Sequence, residues 1–256
     1  MPLIEYYDHY DEKYFNDVIL WGTDIKTSGS SGEPKTLHQT HFKISVDSYN
    51  SRITQGITAS SKILTVLNPE KAGGLFVQTI PGLLEGADVT LKKFNPYDWV
   101  KEVNKYTHSH LTPKQAKGVM MTKGFKSLDL TGHTFVVGSE PVTYDIIEAF
   151  LSKGALVMTV WGMSEVGPNA IYHKFHSSED LENVKKITPP DSTILGNIFL
   201  CDFKIDSNNC LWIKGNNSVF GDEWFNTKDQ VIYNKELLFY TGRDGTPVDF
   251  NNPRKG

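Results

Sequence analysis

His133-Thr134-Phe135-Val136-Val137-Gly138-Ser139-Glu140-Pro141 opens the stretch whose reading decides the fold, and Ala155-Leu156-Val157-Met158-Thr159-Val160 closes it. The first five residues and the last six are short apolar runs of strand length. Between them, residues 141–153 place Ile146, Ile147, Phe150 and Leu151 on one helical face, and Gly154 is set to end that helix. A strand, a helix and a second strand in so few residues predict two parallel strands joined by a right-handed crossover.

The same alternation extends towards the N-terminus. Ile63-Leu64-Thr65-Val66-Leu67 reads as a buried strand, 70–85 as a helix interrupted or kinked near Pro81, and Ala87-Asp88-Val89-Thr90-Leu91 as a strand. Asn95-Pro96 and Thr112-Pro113 each pair a capping side chain with proline at the first helical position. They predict helices to about Tyr106 and Met121, with Ser109-His110-Leu111 as a strand end between them. A helix is expected over 41–54, and residues 4–26 read as irregular or as one short amphipathic helix. After about residue 190 the texture changes to short strands (194–199, 202–205, 211–214, 230–233, 236–240) separated by Asn, Gly and Asp turns. The fold class is therefore α/β, with mostly parallel sheets flanked by helices, followed by a small antiparallel β subdomain. The expected divisions are an α/β part over 1–190, a β-rich part over 191–245 and a tail over 246–256.

The chain carries 26 Lys+Arg against 30 Asp+Glu, with 39% hydrophobic and 22% charged residues, an ordinary globular composition. Its mild acidity is a poor match for nucleic acid or an anionic membrane. Cys201 and Cys210 alone make no disulfide framework and no zinc knuckle. With no signal-like start and no long apolar run, the expected location is cytoplasmic.

Four segments carry chemistry. Thr27-Ser28-Gly29-Ser30-Ser31-Gly32-Glu33-Pro34-Lys35 combines hydroxyls, two glycines and a lysine, a set suited to phosphate oxygens. It is not a Walker loop, because Pro34 stands where that motif has its second glycine. Composition alone weighs a flexible surface turn equally. Gly138-Ser139-Glu140-Pro141 lies beyond a strand end, where ligands of α/β sheets gather. Trp161-Gly162-Met163-Ser164-Glu165 offers a ring for a base, a hydroxyl for phosphate and a carboxylate for Mg²⁺. Thr227-Lys228-Asp229 and Gly242-Arg243-Asp244 offer partners for a ribose diol and for phosphate. Each has a bland alternative: an ordinary strand-to-helix turn, a core Trp with a solvated Glu, a surface loop. His108 with His110 and His173 with His176 lack the further ligands of a metal site and read as structural.

The order and spacing of these segments resemble the adenylate-forming superfamily of acyl- and aryl-CoA synthetases, luciferases and peptide-synthetase adenylation domains. Thr40-His41, Glu85-Gly86-Ala87-Asp88-Val89 and Leu211-Trp212-Ile213-Lys214-Gly215 are lesser echoes. The resemblance spans residues 22–245. Within the superfamily the chain is most similar to o-succinylbenzoate–CoA ligases with a short N-terminus, through Leu67-Asn68-Pro69-Glu70-Lys71-Ala72-Gly73-Gly74, the run Thr112–Gln115 and Asn209-Cys210-Leu211.

This resemblance implies an ATP site and a bound Mg²⁺. Thr27, Ser28, Gly29, Ser30, Ser31, Gly32 and Lys35 would hold the phosphates, and Gly138, Ser139, Glu140 and Pro141 would border the adenine. Trp161, with Gly162 beside it, would stack near the base. Ser164 supplies the motif hydroxyl, Glu165 the magnesium ligand, and Asp229 and Arg243 the ribose contacts. Lys228 stands where the motif has glycine, and Asp244 falls at the hinge before a C-terminal domain. Ser164, Glu165 and Lys35 are the residues expected to act in catalysis.

The implied reaction is carboxylate attack on the α-phosphorus of ATP, with pyrophosphate leaving and an acyl-adenylate formed. An aromatic acid such as o-succinylbenzoate is the expected substrate. Because few residues follow Asp244, thioester formation with CoA is expected to be impaired or to depend on a partner chain, with a homodimer as the other expected association. A nucleotide-binding relic and a regulatory or interaction subunit are the competing readings.

Overall fold

The computed structural model describes residues 4–5, 10–27 and 35–248. Ile4–Glu5 form β1, followed by α1 (Glu12–Trp21), capped by the Asp11 carboxylate on the Tyr14 amide at 2.8 Å. A two-stranded ribbon, β2 (Thr23–Thr27) and β3 (Lys35–Gln39), precedes α2 (His41–Gln55). The expectation for 4–26 thus captured α1 and missed the strands on either side of it.

β4 (Lys62–Thr65) is followed by α3 (Ala72–Gly74), a wider π-turn at Leu75–Thr79 and α4 (Ile80–Glu85). The helix expected over 70–85 is therefore interrupted near Pro81, as expected, by the π-turn just ahead of it. Pro81 falls in the first turn of α4, and in place of its missing N–H the Phe76 and Val77 carbonyls accept from the Ser51 hydroxyl and Gln55 Nε2. β5 (Asp88–Leu91) leads to α5 (Pro96–Glu102), where Asn95 Oδ1 accepts from the Tyr97 and Asp98 amides at 2.9 and 3.2 Å. β6 (His108–Leu111) leads to α6 (Pro113–Met120), opened by a reciprocal capping box of Thr112 and Gln115.

β7 (Thr134–Gly138) and α7 (Tyr144–Leu151) correct the helix start expected at 141. Ser139 takes φ 73°, and the Val142 carbonyl accepts from the Thr193 hydroxyl, a tertiary bond that draws this segment away from a helical course. β8 (Leu156–Met163) then turns into β9 (Gly167–Phe175), and α8 (Ser178–Ile187) follows. Neither β9 nor α8 was expected.

These strands form an eight-stranded sheet in the order β1-β5-β4-β6-β7-β8-β9-β11, parallel from β1 to β8. β9 and β11 (Ile198–Phe199) close it in antiparallel fashion. The second sheet is antiparallel throughout: β10 (Thr193–Gly196), β15 (Leu237–Arg243), β14 (Phe225–Asn234), β13 (Cys210–Lys214) and β12 (Asp202–Ile205) in spatial order, with β16 (Thr246–Pro247) on β15. The strand expected at 194–199 is two strands in two sheets. Gly196 makes the transfer: at φ +155° its absent Cβ would lie 2.3 Å from the Tyr172 carbonyl oxygen. The segment expected to be a tail begins as β16, and residues 249–256 lie outside the described residues.

Helices cover both faces of the larger sheet. On one, Phe150 stacks on Phe135 with centroids 3.7 Å apart and meets Trp99 and Phe125 edge-on at 6.1 and 5.3 Å. On the other, Phe15, Ile44, Leu75, Phe76 and Ile80 pack against Ile63 and Val89. A third cluster joins Val166, Ala170 and Ile171 to Leu211, Ile213, Val231 and Leu238 of the second sheet.

Three histidines are buried in this framework. The Tyr106 carbonyl accepts from His133 Nδ1 at 2.9 Å, so His133 Nε2 accepts from the Ser109 hydroxyl at 2.8 Å, which specifies a neutral ring. Burial lowers both His110 and His133 to about 4, and it also lowers His108. The unfolded chain takes up these protons near the ordinary value of 6.5, so stability falls as pH falls from there towards 4.

Two outcomes are expected. Phe150→Ala will destabilise the chain by about 3–5 kcal/mol in denaturant titration, as for other large aromatic-to-alanine core changes. His133→Asn will flatten the acid side of the stability profile by about 1.4 kcal/mol per pH unit relative to wild type. Parallel profiles for the two proteins would contradict the burial argument.

Candidate functional site

Five segments meet at the C-terminal end of the parallel strands. Thr27 and Lys35 pair across the β2–β3 ribbon and bracket the Ser/Gly loop; Ser28, Gly29, Ser30, Ser31 and Gly32 of that loop lie outside the described residues. The ribbon is tied to its surroundings at two points. Gln39 Nε2 donates to the Ser164 carbonyl at 3.2 Å, and Lys71 Nζ donates to the Lys26 carbonyl at 2.8 Å.

Gly138 ends β7 against Val160, and a Cβ there would lie 2.4 Å from the Val160 carbonyl oxygen. This close approach brings the Ser139-Glu140-Pro141 turn alongside the end of β8. Ser139 Oγ faces Gly73, only 3.3 Å from where a Cβ would sit, with Leu67 and His110 bordering the same spot. A small residue at 73 keeps this space between the 67–74 segment and the Ser139 turn.

The second sheet enters through one carboxylate. Asp229 on β14 receives Trp161 Nε1 from β8 at 2.9 Å on one oxygen and Arg243 Nε from β15 at 2.6 Å on the other. Arg243 also reaches the Thr227 carbonyl at 3.4 Å, and the Thr227 hydroxyl accepts from the Asp229 amide at 3.1 Å. Asp229 is 4% exposed. Burial pushes its carboxyl up, opposed by the Arg243 guanidinium and the Trp161 indole. Nearby Tyr240 is pushed up to about 12, mainly by burial and then by the Asp229 charge. Each Asp229 oxygen retains a further lone pair for a hydroxyl donor.

Lys228 adopts φ 64°, the left-handed conformation that the motif's glycine would take without strain. Its amide is held by Asn226 Oδ1 at 2.8 Å, and its carbonyl accepts from the Asp244 amide at 3.0 Å. The lysine therefore keeps the turn geometry, and its Nζ lies 3.6 Å from the Asp244 carboxylate.

Glu165 sits half-buried on the β8–β9 turn, and its backbone carbonyl accepts from the Val219 amide at 2.8 Å. Among the described residues its carboxylate has no hydrogen-bond or ion-pair partner, and no group of three or more His, Cys, Asp or Glu could hold a metal ion. One free carboxylate fits a Mg²⁺ ion held chiefly by substrate phosphates, the usual arrangement for that cation. Lys35 is exposed at the start of β3, on the same ribbon that contacts Ser164 through Gln39.

Sequence reasoning missed Gln39, Lys43, Asp47, Asn217 and Val219, which surround the Glu165 turn. Only the i, i+4 spacing of Lys43 and Asp47 is visible in one dimension, and that spacing is ordinary on solvated helices.

The comparisons with known proteins follow this geometry. A family model described as AMP-binding enzyme matches residues 25–197. Indoleacetate–CoA ligase of Aromatoleum aromaticum is 29% identical over 153 residues, covering 58% of this chain and 30% of that protein. Feruloyl-CoA synthase of an Amycolatopsis species is 26% identical over 160 residues, covering 61% and 32%. Among solved structures, o-succinylbenzoate coenzyme A synthetase of Bacillus subtilis, in complex with ATP and magnesium ion, superposes with TM-score 0.73 at 19% identity, covering 89% of this chain and 52% of that one. The inhibitor-bound N-terminal domain of FACL13 from Mycobacterium tuberculosis gives TM-score 0.72 at 16% identity, covering 86% and 60%. The chain thus spans about a third of the length of these curated relatives and at most 60% of these solved ones. With its mixed sheet, its smaller antiparallel sheet and its match to the family model, the chain belongs to the AMP-binding enzyme family, the adenylate-forming superfamily.

Proposed function

We propose that the chain binds ATP with Mg²⁺ and forms an acyl-adenylate from a carboxylic acid. The observation that carries this reading is the joining of Trp161, Asp229 and Arg243 across two sheets, with Glu165 on the turn that ends the same strand as Trp161 and its carboxylate without a partner among the described residues. Asp229 would accept from the ribose hydroxyls on its remaining lone pairs, and Trp161 would border the base. Thr27 and Lys35, with the Ser/Gly loop, would face the phosphates, and Ser164 would add a hydroxyl. Glu165 would hold Mg²⁺, which supplies charge stabilisation on the triphosphate when bound. Carboxylate attack on the α-phosphorus brings two anions together, so the residues act by positioning and by opposing the crowding negative charge.

The acid is inferred to be aromatic. Two curated relatives are named for indoleacetate and ferulate, and a solved neighbour is named for o-succinylbenzoate. Leu67 and Gly73, with the imidazole of His110 and the hydroxyl of Ser139, border the spot assigned to the acid, apolar surface joined to two orienting polar groups.

ATP–pyrophosphate exchange with a panel of aryl and short polar acids tests both statements. Aryl acids, o-succinylbenzoate first, are expected to stimulate exchange, and adding CoA reads thioester formation in the same mixture. Stimulation by short polar acids alone would overturn the acid assignment. In calorimetry, Glu165→Ala is expected to weaken magnesium-dependent ATP binding by about tenfold or more while leaving AMP binding close to wild type. Asp229→Ala is expected to weaken ATP and AMP alike. It should also cost about 1–3 kcal/mol of stability, because it strips the acceptor from the Trp161 indole and the Arg243 guanidinium. No binding of ATP or AMP at millimolar ligand by the wild-type chain would remove this reading.

A further inference from the structure

Behind the Glu165 turn lies a buried ion pair to which the reaction outlined above gives no role. Lys43 and Asp47 lie one turn apart on α2, with Lys43 Nζ donating to Asp47 Oδ2 at 2.7 Å and side-chain exposures of only 2% and 3%. Lys43 Nζ also lies 5.8 Å from the centre of the Phe76 ring. Burial pushes the Asp47 carboxyl up, and the Lys43 ammonium opposes it. A buried pair of this kind is rarely what stability alone would select, since apolar residues of similar volume fill such a space at least as well.

The geometry shows what the pair faces. Asp47 Oδ1, the oxygen not bonded to Lys43, is 2.5 Å from where a Cβ on Gly167 would lie. Asn217 Nδ2 is 3.1 Å from the same point, and among the described residues neither polar side-chain atom of Asn217 has a hydrogen-bond partner. Gly167, at φ +87°, is the first residue of β9, directly after the turn that carries Ser164 and Glu165, and pairs with Met163 across it. The remaining backbone of the turn is held at two further points, Ser164 O by Gln39 Nε2 and Glu165 O by the Val219 amide. Three parts of the fold, α2, β3 and the segment 217–219, therefore converge on one turn, and the Asp47 carboxylate lies against the Gly167 that follows it.

We infer that Lys43 and Asp47 are positioning residues for the Glu165 turn. Lys43 locks the Asp47 carboxylate, and Asp47 with Asn217 forms the seat on which Gly167 rests, so that the Glu165 carboxylate is held out towards the triphosphate's cation. The inference rests on the reading of Glu165 as a magnesium ligand, and its test separates the two.

The principal variant is Lys43→Met/Asp47→Leu, which removes both charges together and leaves neither buried alone. Amide hydrogen exchange on the nucleotide-free chain is measured first. Residues 164–167 are expected to exchange at least about tenfold faster than in wild type, while β6 and β7 keep their protection. Calorimetry follows: the magnesium concentration for half-maximal ATP binding is expected to rise by about tenfold, with AMP affinity unchanged. If the double variant does not fold, Asn217→Ala takes its place, with the same pattern expected at a smaller amplitude of about threefold.

Unchanged exchange at 164–167 in the folded variant overturns the inference, whatever the nucleotide does. So does faster exchange with an unchanged magnesium requirement, or an equal loss of ATP and AMP affinity. Faster exchange in the variant, alongside a wild-type chain that binds no Mg²⁺–ATP, upholds the seating of the turn and overturns the proposed function instead.

Discussion

One carboxylate joins the two sheets at the site. Asp229 belongs to the antiparallel sheet, yet one of its oxygens is bonded to the Trp161 indole of the larger sheet and the other to Arg243 on the neighbouring strand. A carboxylate this buried carries a large desolvation cost, and only charged or directed donors offset it. Trp161 and Arg243 are therefore constrained together. Moving either leaves Asp229 underbonded, and moving Asp229 separates the sheets at the point where the motifs meet.

The rest of the arrangement follows from strand direction. Parallel strands β4, β6, β7 and β8 all deliver their connecting turns to one end of the sheet, so the 67–74 segment, the Ser139 turn and the Glu165 turn become neighbours despite their separation in the chain. Close packing at that end requires glycine where backbones touch. Gly138 against Val160 and Gly196 against Tyr172 are two of the positions where a side chain would meet a carbonyl oxygen. The first sets the Ser139 turn beside β8, and the second lets the chain cross from the smaller sheet to the larger one.

Much of this was legible in one dimension. The apolar runs of β4 to β8, the Asn95-Pro96 and Thr112-Pro113 helix starts and the change to short strands after residue 190 all follow from local periodicity and capping. The ordered motifs also pointed to segments that the fold brings close together, Gly138–Pro141 beside the end of β8 and Trp161 against Asp229 and Arg243. What was missed has a common cause. β9 is buried almost throughout but carries polar Asn169 and His173, so it shows neither clean alternation nor a fully apolar run. β2 and β3 flank a Ser/Gly loop, whose composition draws the eye away from the paired backbone on either side. The late start of α7 depends on a bond from Thr193, fifty-one residues away.

By itself, the sequence determined most of the elements and the kinds of side chain available at the site, because helix caps, strand runs and motif order are short-range properties of the chain. The tertiary structure alone decided how those side chains are used. That Trp161 gives its N–H to Asp229 and that Lys43 and Asp47 turn inward against Gly167 are consequences of burial. Burial depends on which distant segments close over a residue, and no local pattern of residues encodes it.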